Sequence, residues 1–183
     1  NYKQAILINP DYTEAYLNMG NALMDKGMLD EAIDNYKEAI RTNSNLAITY
    51  FFIANALKIK GDLKNAITNY KKATLLYPDY TEAYLNLGNI LMDKGMLDEA
   101  IDNYKEAIKI NPKYADAYNN MGNAFQVNGD LDKAIDNYKE AININPNYAE
   151  AYNNLGSALR GKLELNDSIN SFKRAIQLKP SYV

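Results

Sequence analysis

The sequence predicts an all-α fold, a solenoid of stacked helical hairpins, and three observations carry that prediction. Prolines fall at Pro78, Pro112, Pro146 and Pro180, and each step (112−78, 146−112, 180−146) is 34 residues. Small residues keep the same step: Gly20, Gly88, Gly122 and Gly156 in one column, with Ala54 in its second place, and Gly27, Gly61, Gly95 and Gly129 in another. Between these marks the apolar residues recur at helical spacing, and a fixed period of this length is the mark of a repeat architecture.

The third unit shows how each element arises. Ala83, Tyr84, Leu87 and Leu91 share one helical face, and the run stops at Gly95. A second run, Leu97, Ala100, Ile101, Tyr104, Ala107 and Ile108, ends before Asn111-Pro112, where proline cannot continue a helix. Each unit is therefore an αα-hairpin. The boundaries predicted are a half repeat over 1–12, seen in Tyr2, Ala5 and Pro10, then repeats 13–46, 47–80, 81–114, 115–148 and 149–182, all in one array. Gly88 and Ala100 are expected on facing sides of the hairpin, where a bulky side chain would hold the helices apart. A hairpin alone leaves an apolar face bare, so the units must stack to bury it.

Composition narrows the chemistry. The chain has 183 residues, 47% of them hydrophobic, enough for a sizeable core, and 20 basic against 23 acidic residues give a net charge of −3. The signs alternate without forming the basic stripe that phosphate neutralisation needs, so nucleic acid is not an expected partner. With no cysteine and no histidine, disulfides, thiolate nucleophiles, the usual zinc sites and the commonest general base are all missing. No catalytic residue, metal site or cofactor is predicted, and no enzyme activity is expected of this segment. No apolar run reaches the length of a membrane span, so no membrane insertion is expected. The N-terminus lacks an initiator Met and a signal-peptide pattern; the missing Met points to a fragment or a processed chain, and the absence of cysteine leaves the compartment open.

The pattern Ala83-Tyr84-x-x-Leu87-Gly88-x-x-Leu91, with Gly95, Ala100, Tyr104, Ala107 and Pro112, resembles the tetratricopeptide repeat, and the resemblance spans essentially the whole chain. It implies hairpins coiled into a right-handed superhelix whose first helices line a concave groove that holds extended peptides or partner segments.

Some units depart from the pattern. Thr13 to Ser44 recurs as Thr81 to Pro112 with five differences (Met19/Leu87, Ala22/Ile90, Arg41/Lys109, Thr42/Ile110 and Ser44/Pro112), 68 residues away (81−13), as an internal duplication would leave it. The second unit reads Tyr50-Phe51-Phe52-Ile53 where its neighbours carry asparagine in the third place. The fifth carries Arg160-Gly161-Lys162-Leu163, so its glycine is displaced by two residues and its inter-helix turn is expected to differ.

On the face of each first helix opposite the buried stripe lie Asn18, Asn86, Asn120 and Asn154, with Phe52 in the second place. One turn on come Asn21, Asn55, Asn89 and Asn123, with Ser157 last. An amide offers two donors and an acceptor, so such a double row suits the backbone of an extended peptide whatever its side chains. The competing explanation is that part of the row braces neighbouring helices. Similar ladders occur in the repeats of O-GlcNAc transferases and in generic tetratricopeptide arrays. Phe51, Phe52 and Ile59 read equally as an apolar anchor on that face and as added core.

An acidic row, Glu14, Glu82, Asp116 and Glu150, opens the first helices. Asp11, Asp79 and Asn147 stand three residues before Glu14, Glu82 and Glu150, the spacing of a capping box, and capping is the stronger reading there. A carboxylate clamp of the chaperone-binding kind is rejected, because the neighbouring slots read Leu17, Phe51, Leu85, Asn119 and Asn153 without a cation. Two weaker signals read as chance and as structure. Asn166-Asp167-Ser168 fits an N-glycosylation acceptor, but Ser168 holds a slot that is a packed alanine elsewhere; Asn128 to Asp132 reads as the inter-helix turn with Asp130 capping. The function expected is a protein–protein interaction scaffold that binds an extended peptide segment. The alternatives are the substrate-recruiting arm of a larger enzyme such as an O-GlcNAc-type glycosyltransferase, and an array that self-associates end to end through Ile169, Phe172 and Ile176.

Overall fold

A computed structural model of the chain describes Gln4 and residues 7–180. The half-repeat positions Tyr2 and Ala5 lie outside the described residues. The described chain is helix and turn, in five hairpins: α1 (Thr13–Asp25) with α2 (Leu29–Thr42), α3 (Ala47–Ile59) with α4 (Leu63–Leu76), α5 (Thr81–Asp93) with α6 (Leu97–Ile110), α7 (Ala115–Val127) with α8 (Leu131–Ile144), and α9 (Ala149–Gly161) with α10 (Leu165–Leu178). By contact density it divides into two compact units, one up to Ala83 and one from Tyr84.

The turn inside each hairpin has one geometry. In the first, Gly27 N–H donates to Met24 O and Met28 N–H to Leu23 O, both at 2.9 Å, which satisfies two orphan carbonyls at the end of α1. This closure requires the left-handed region, and Gly27, Gly61, Gly95 and Gly129 stand there with φ between 72° and 83°. The fifth hairpin corrects the expectation of a different turn. Leu163 takes the glycine's place at φ 64°, and the same two bonds form, from Leu163 N–H to Arg160 O and from Glu164 N–H to Leu159 O, each at 3.0 Å. Gly161 is simply the last residue of α9.

Between hairpins the chain turns at Asn111-Pro112 and Asn145-Pro146, with Asn43-Ser44 and Tyr77-Pro78 in the equivalent places. Asn111 is extended (φ −126°, ψ 91°), as a residue before proline must be, and its side-chain carbonyl accepts from Lys113 N–H at 3.1 Å. Asn9, Asn43 and Asn145 repeat this local bond, each to the N–H two residues on. The expected capping boxes do not form at α1 and α9. Their N-cap positions are Tyr12 and Tyr148, neither with a side-chain cap bond, and the Asp11 carboxylate instead meets Arg41 at 3.2 Å. Asp62 and Asp130 do cap their helices, accepting from Asn65 N–H and Lys133 N–H.

Within a hairpin the core is a glycine against a ring. A Cβ on Gly88 or Gly122 would fall 2.6 Å from Cε1 of Tyr104 or Tyr138, so only glycine lets these helices approach so closely. This refines the expected pairing: Ala100 is buried, but the surface facing Gly88 is the Tyr104 ring. Tyr36, Tyr70, Tyr104 and Tyr138 are among the largest fully buried side chains. Successive hairpins then share cores, as where Tyr138 and Ile135 of α8 pack with Leu155 and Leu159 of α9. Ser168 is buried and donates to Gly156 O at 2.7 Å, so Asn166-Asp167-Ser168 is a stretch of helix with its hydroxyl engaged in the core.

Candidate functional site

The predicted asparagines fall in both compact units. In the first, Asn18 is exposed, while Asn21 and Asn55 are half-buried and take the hydroxyls of Tyr36 and Tyr70 on their side-chain oxygens. Phe52 lies on Tyr36 with ring centroids 5.5 Å apart, and Phe51 meets Tyr80 at 4.8 Å and Tyr70 edge-on at 5.8 Å. Both phenylalanines are half-buried in this aromatic cluster, and Ile59 is exposed. Burial pushes the Tyr36 hydroxyl up to about 12, with Asp25 adding to the shift, and the Tyr80 hydroxyl likewise to about 12, with Glu82 adding.

In the second unit the two rows join into a network. Asn86 is half-buried at its start. Asn89 Oδ1 accepts from Tyr104 Oη and from Asn120 Nδ2, both at 2.9 Å. Asn123 Oδ1 accepts from Tyr138 Oη at 2.8 Å and from Asn154 Nδ2 at 3.1 Å. Asn154 Nδ2 also reaches Asn119 Oδ1 at 3.0 Å, and Asn119 Nδ2 reaches Asn120 Oδ1 at 3.3 Å. The bracing foreseen for part of the row is therefore present, and it consumes mostly carbonyl oxygens.

Asn119 and Leu85 correct one expectation. Placed by sequence among the open slots, both are buried, Asn119 at 0% exposure. Its neighbours in the repeat column are Leu85 and Asn153, so no periodic signal marked it as core; its two amide bonds are what make burial tolerable. Sequence reasoning also missed what lines the site beside the ladder. A recess of about 410 Å³ in the second unit is bounded by Met92, Asn123, Gln126, Asn153, Asn154 and Ser157, with Val127. Four of these are amides, so the recess sets polar groups that can meet peptide backbone into a lining whose accessible surface is mainly apolar.

The acidic row stays at the surface: Glu14, Glu82, Asp116 and Glu150 are all exposed in first turns, where they complement the helix dipole. Among the described residues no group of acidic side chains is placed to hold a metal ion, and no helix is long and apolar enough to cross a membrane.

The family model described as "Tetratricopeptide repeat" matches residues 13–46 and, in a second version, 149–182; the model described as "TPR repeat" matches 54–95, 88–129 and 127–162. The chain belongs to the tetratricopeptide-repeat family. Solved structures agree. The chain is similar to the MamA protein, 32% identical over 92% of each chain with a TM-score of 0.83. It shares its fold with MamA from Desulfovibrio magneticus RS-1, at 23% identity over 93% of this chain and 96% of that one and a TM-score of 0.84. It shares it also with YrrB, described as a TPR protein with an unusual peptide-binding site, at 23% identity, 99% and 93% coverage and a TM-score of 0.82. No curated protein sequence matches the chain. A tetratricopeptide protein of this kind is a protein-interaction scaffold, and its first helices carry the polar rows just described.

Proposed function

We propose that this scaffold binds an extended, unstructured segment of a protein partner along the asparagine rows of its first helices. The observation that supports this most is the state of the amides in the second unit. Asn89, Asn120, Asn123 and Asn154 are half-buried and bonded to one another, so they are ordered before any ligand arrives, and binding then costs little side-chain entropy. A preordered amide row reads peptide groups, which every residue carries, so the partner is recognised by extension more than by sequence.

The test is a peptide-array screen with the wild-type chain beside Asn89→Ala/Asn120→Ala. Binding of extended peptides of varied sequence that the double variant loses, with unchanged helical content, is the expected result. Equal binding by both proteins would move the site elsewhere.

A second reading, self-association, has its own observation. Ile169 and Ile176 on α10 are 50% and 46% exposed, whereas Ile135, one repeat earlier, is 5% exposed beneath α9. Sedimentation velocity across a hundredfold concentration range tests it; a concentration-independent monomer removes it.

A further inference from the structure

The buried tyrosines carry more than packing. Each sits 15 residues after an asparagine of the inner row and gives it a hydroxyl: Tyr36 to Asn21, Tyr70 to Asn55, Tyr104 to Asn89 and Tyr138 to Asn123. The fifth repeat departs in both places together. Phe172 takes the ring position, lying 2.9 Å from where a Cβ on Gly156 would be, and Ser157 takes the asparagine position. Packing alone would not couple the two, since Phe172 fills the same space without a hydroxyl.

Hydrogen-bond inventory fixes which way the amides point. A buried hydroxyl needs an acceptor for its one hydrogen. At Tyr36 and Tyr70 that acceptor is the asparagine carbonyl, and at Tyr104 the alternative is only the Met92 thioether at 3.8 Å, a weak acceptor. With that orientation set, Asn120 and Asn154 fill the second lone pair of Asn89 and Asn123. Among the described residues, Nδ2 of Asn89 and of Asn123 donates to no protein acceptor. Tyr138 Oη lies 2.8 Å from both Asn123 Oδ1 and Gln126 Oε1, so its one hydrogen does not orient Asn123 alone; the amide chain that starts at Tyr104 and runs through Asn89, Asn120, Asn119 and Asn154 does, because Asn154 Nδ2 donates to Asn123 Oδ1.

We infer that Tyr104 and Tyr138 are positioning residues that, with Asn120 and Asn154, saturate the carbonyls of Asn89 and Asn123, so these amides meet a ligand only as N–H donors and seat peptide carbonyl oxygens. The inference rests on the peptide reading above and sharpens it: the bound strand is registered by its C=O groups at these two positions, and methylation of its N–H groups there is tolerated.

The experiment follows the side-chain amide resonances of ¹⁵N-labelled full chain during titration with N,N-dimethylacetamide, which accepts hydrogen bonds and donates none. In wild type, the Asn89 and Asn123 Nδ2 protons move downfield. In Tyr138→Phe the Asn123 response falls by about fivefold, the population change for one net hydrogen bond, while Asn89 responds as before. Phe172 already occupies this slot, so the variant is expected to fold, and its backbone spectrum reports whether it does. A second pair, Tyr104→Phe with Tyr138 intact, repeats the test at Asn89. An undiminished Asn123 response in folded Tyr138→Phe overturns the positioning role, and silence of both amides in wild type overturns the donor assignment. An intact probe response alongside an empty peptide array overturns the peptide reading alone and leaves the tyrosines' role standing.

Discussion

Replacing Leu163 by glycine is expected to stabilise this protein, although the change deletes four carbon atoms of side chain. Leu163 is held at φ 64° by the same pair of turn bonds that close the other hairpins, and its side chain is 81% exposed, so little apolar burial is lost with it. A non-glycine residue in the left-handed region costs about 1–2 kcal/mol. Glycine's freer unfolded chain gives back roughly 0.5–1 kcal/mol of that. The net gain is about 0.5–1 kcal/mol, which at a urea slope near 2 kcal/mol/M raises the midpoint by about 0.3–0.5 M. Repeat arrays need not unfold in one step. The assay should therefore pair urea melts with native-state hydrogen exchange, and protection should rise in α9 and α10 first. The reverse change, Gly129→Ala at φ +83° with open space around the new methyl, isolates the same conformational cost and should lower stability by about 1 kcal/mol. If Leu163→Gly lowers the midpoint, or if Gly129→Ala leaves it unmoved, the left-handed strain assigned to this turn is wrong.

Two other outcomes follow from buried oxygens. Thr49 is fully buried and, among the described residues, its Oγ1 is the buried side-chain oxygen without a partner, in a slot that is Ala15, Ala83, Ala117 and Ala151 elsewhere. Thr49→Ala removes an unmet hydroxyl that costs about 1–3 kcal/mol and loses a methyl worth about 0.8 kcal/mol, so a rise in Tm of about 2–4 °C is expected by calorimetry. Stability should also fall in alkali. The folded Tyr36 and Tyr80 hydroxyls are raised from 10.0 to about 12, so the native state holds protons that the unfolded chain releases. Their contribution is whole below pH 10 and disappears as pH rises toward about 12, and urea midpoints at pH 8 and pH 11 compared with those of Tyr36→Phe measure Tyr36's share.

The fold was legible because its signals repeat. Gly95, Pro112 and the helical stripe of Leu87 and Leu91 recur at one period, and each states a local constraint that the structure obeys. The exceptions were legible only as exceptions. Arg160-Gly161-Lys162-Leu163 looked like a changed turn, yet the helix register imposed by Leu155 and Leu159 on α8 outweighs the conformational cost at Leu163, so the backbone is kept and the strain accepted. The capping boxes failed for a different reason. Spacing alone does not say that Asn145 will turn its side chain onto Asn147 N–H, or that Arg41 will draw the Asp11 carboxylate away from the helix end. The asparagine rows were visible as a pattern, but the division of the Asn89 and Asn123 amides into a spent oxygen and an open nitrogen depends on Tyr104 and Tyr138, whose hydroxyls reach across the hairpin from a helix where they read simply as core.

The proposed partner segment lies along the first helices, on the amides those tyrosines orient. The most direct test of this placement maps an array-selected peptide onto the ¹⁵N-labelled chain by chemical-shift changes. The largest changes are expected at the side-chain amides of Asn89, Asn120, Asn123 and Gln126, with Asn69 and Asn137 on the second helices unmoved. Changes concentrated on Asn69, Asn137 and their neighbours would contradict it and transfer the binding surface to the second helices.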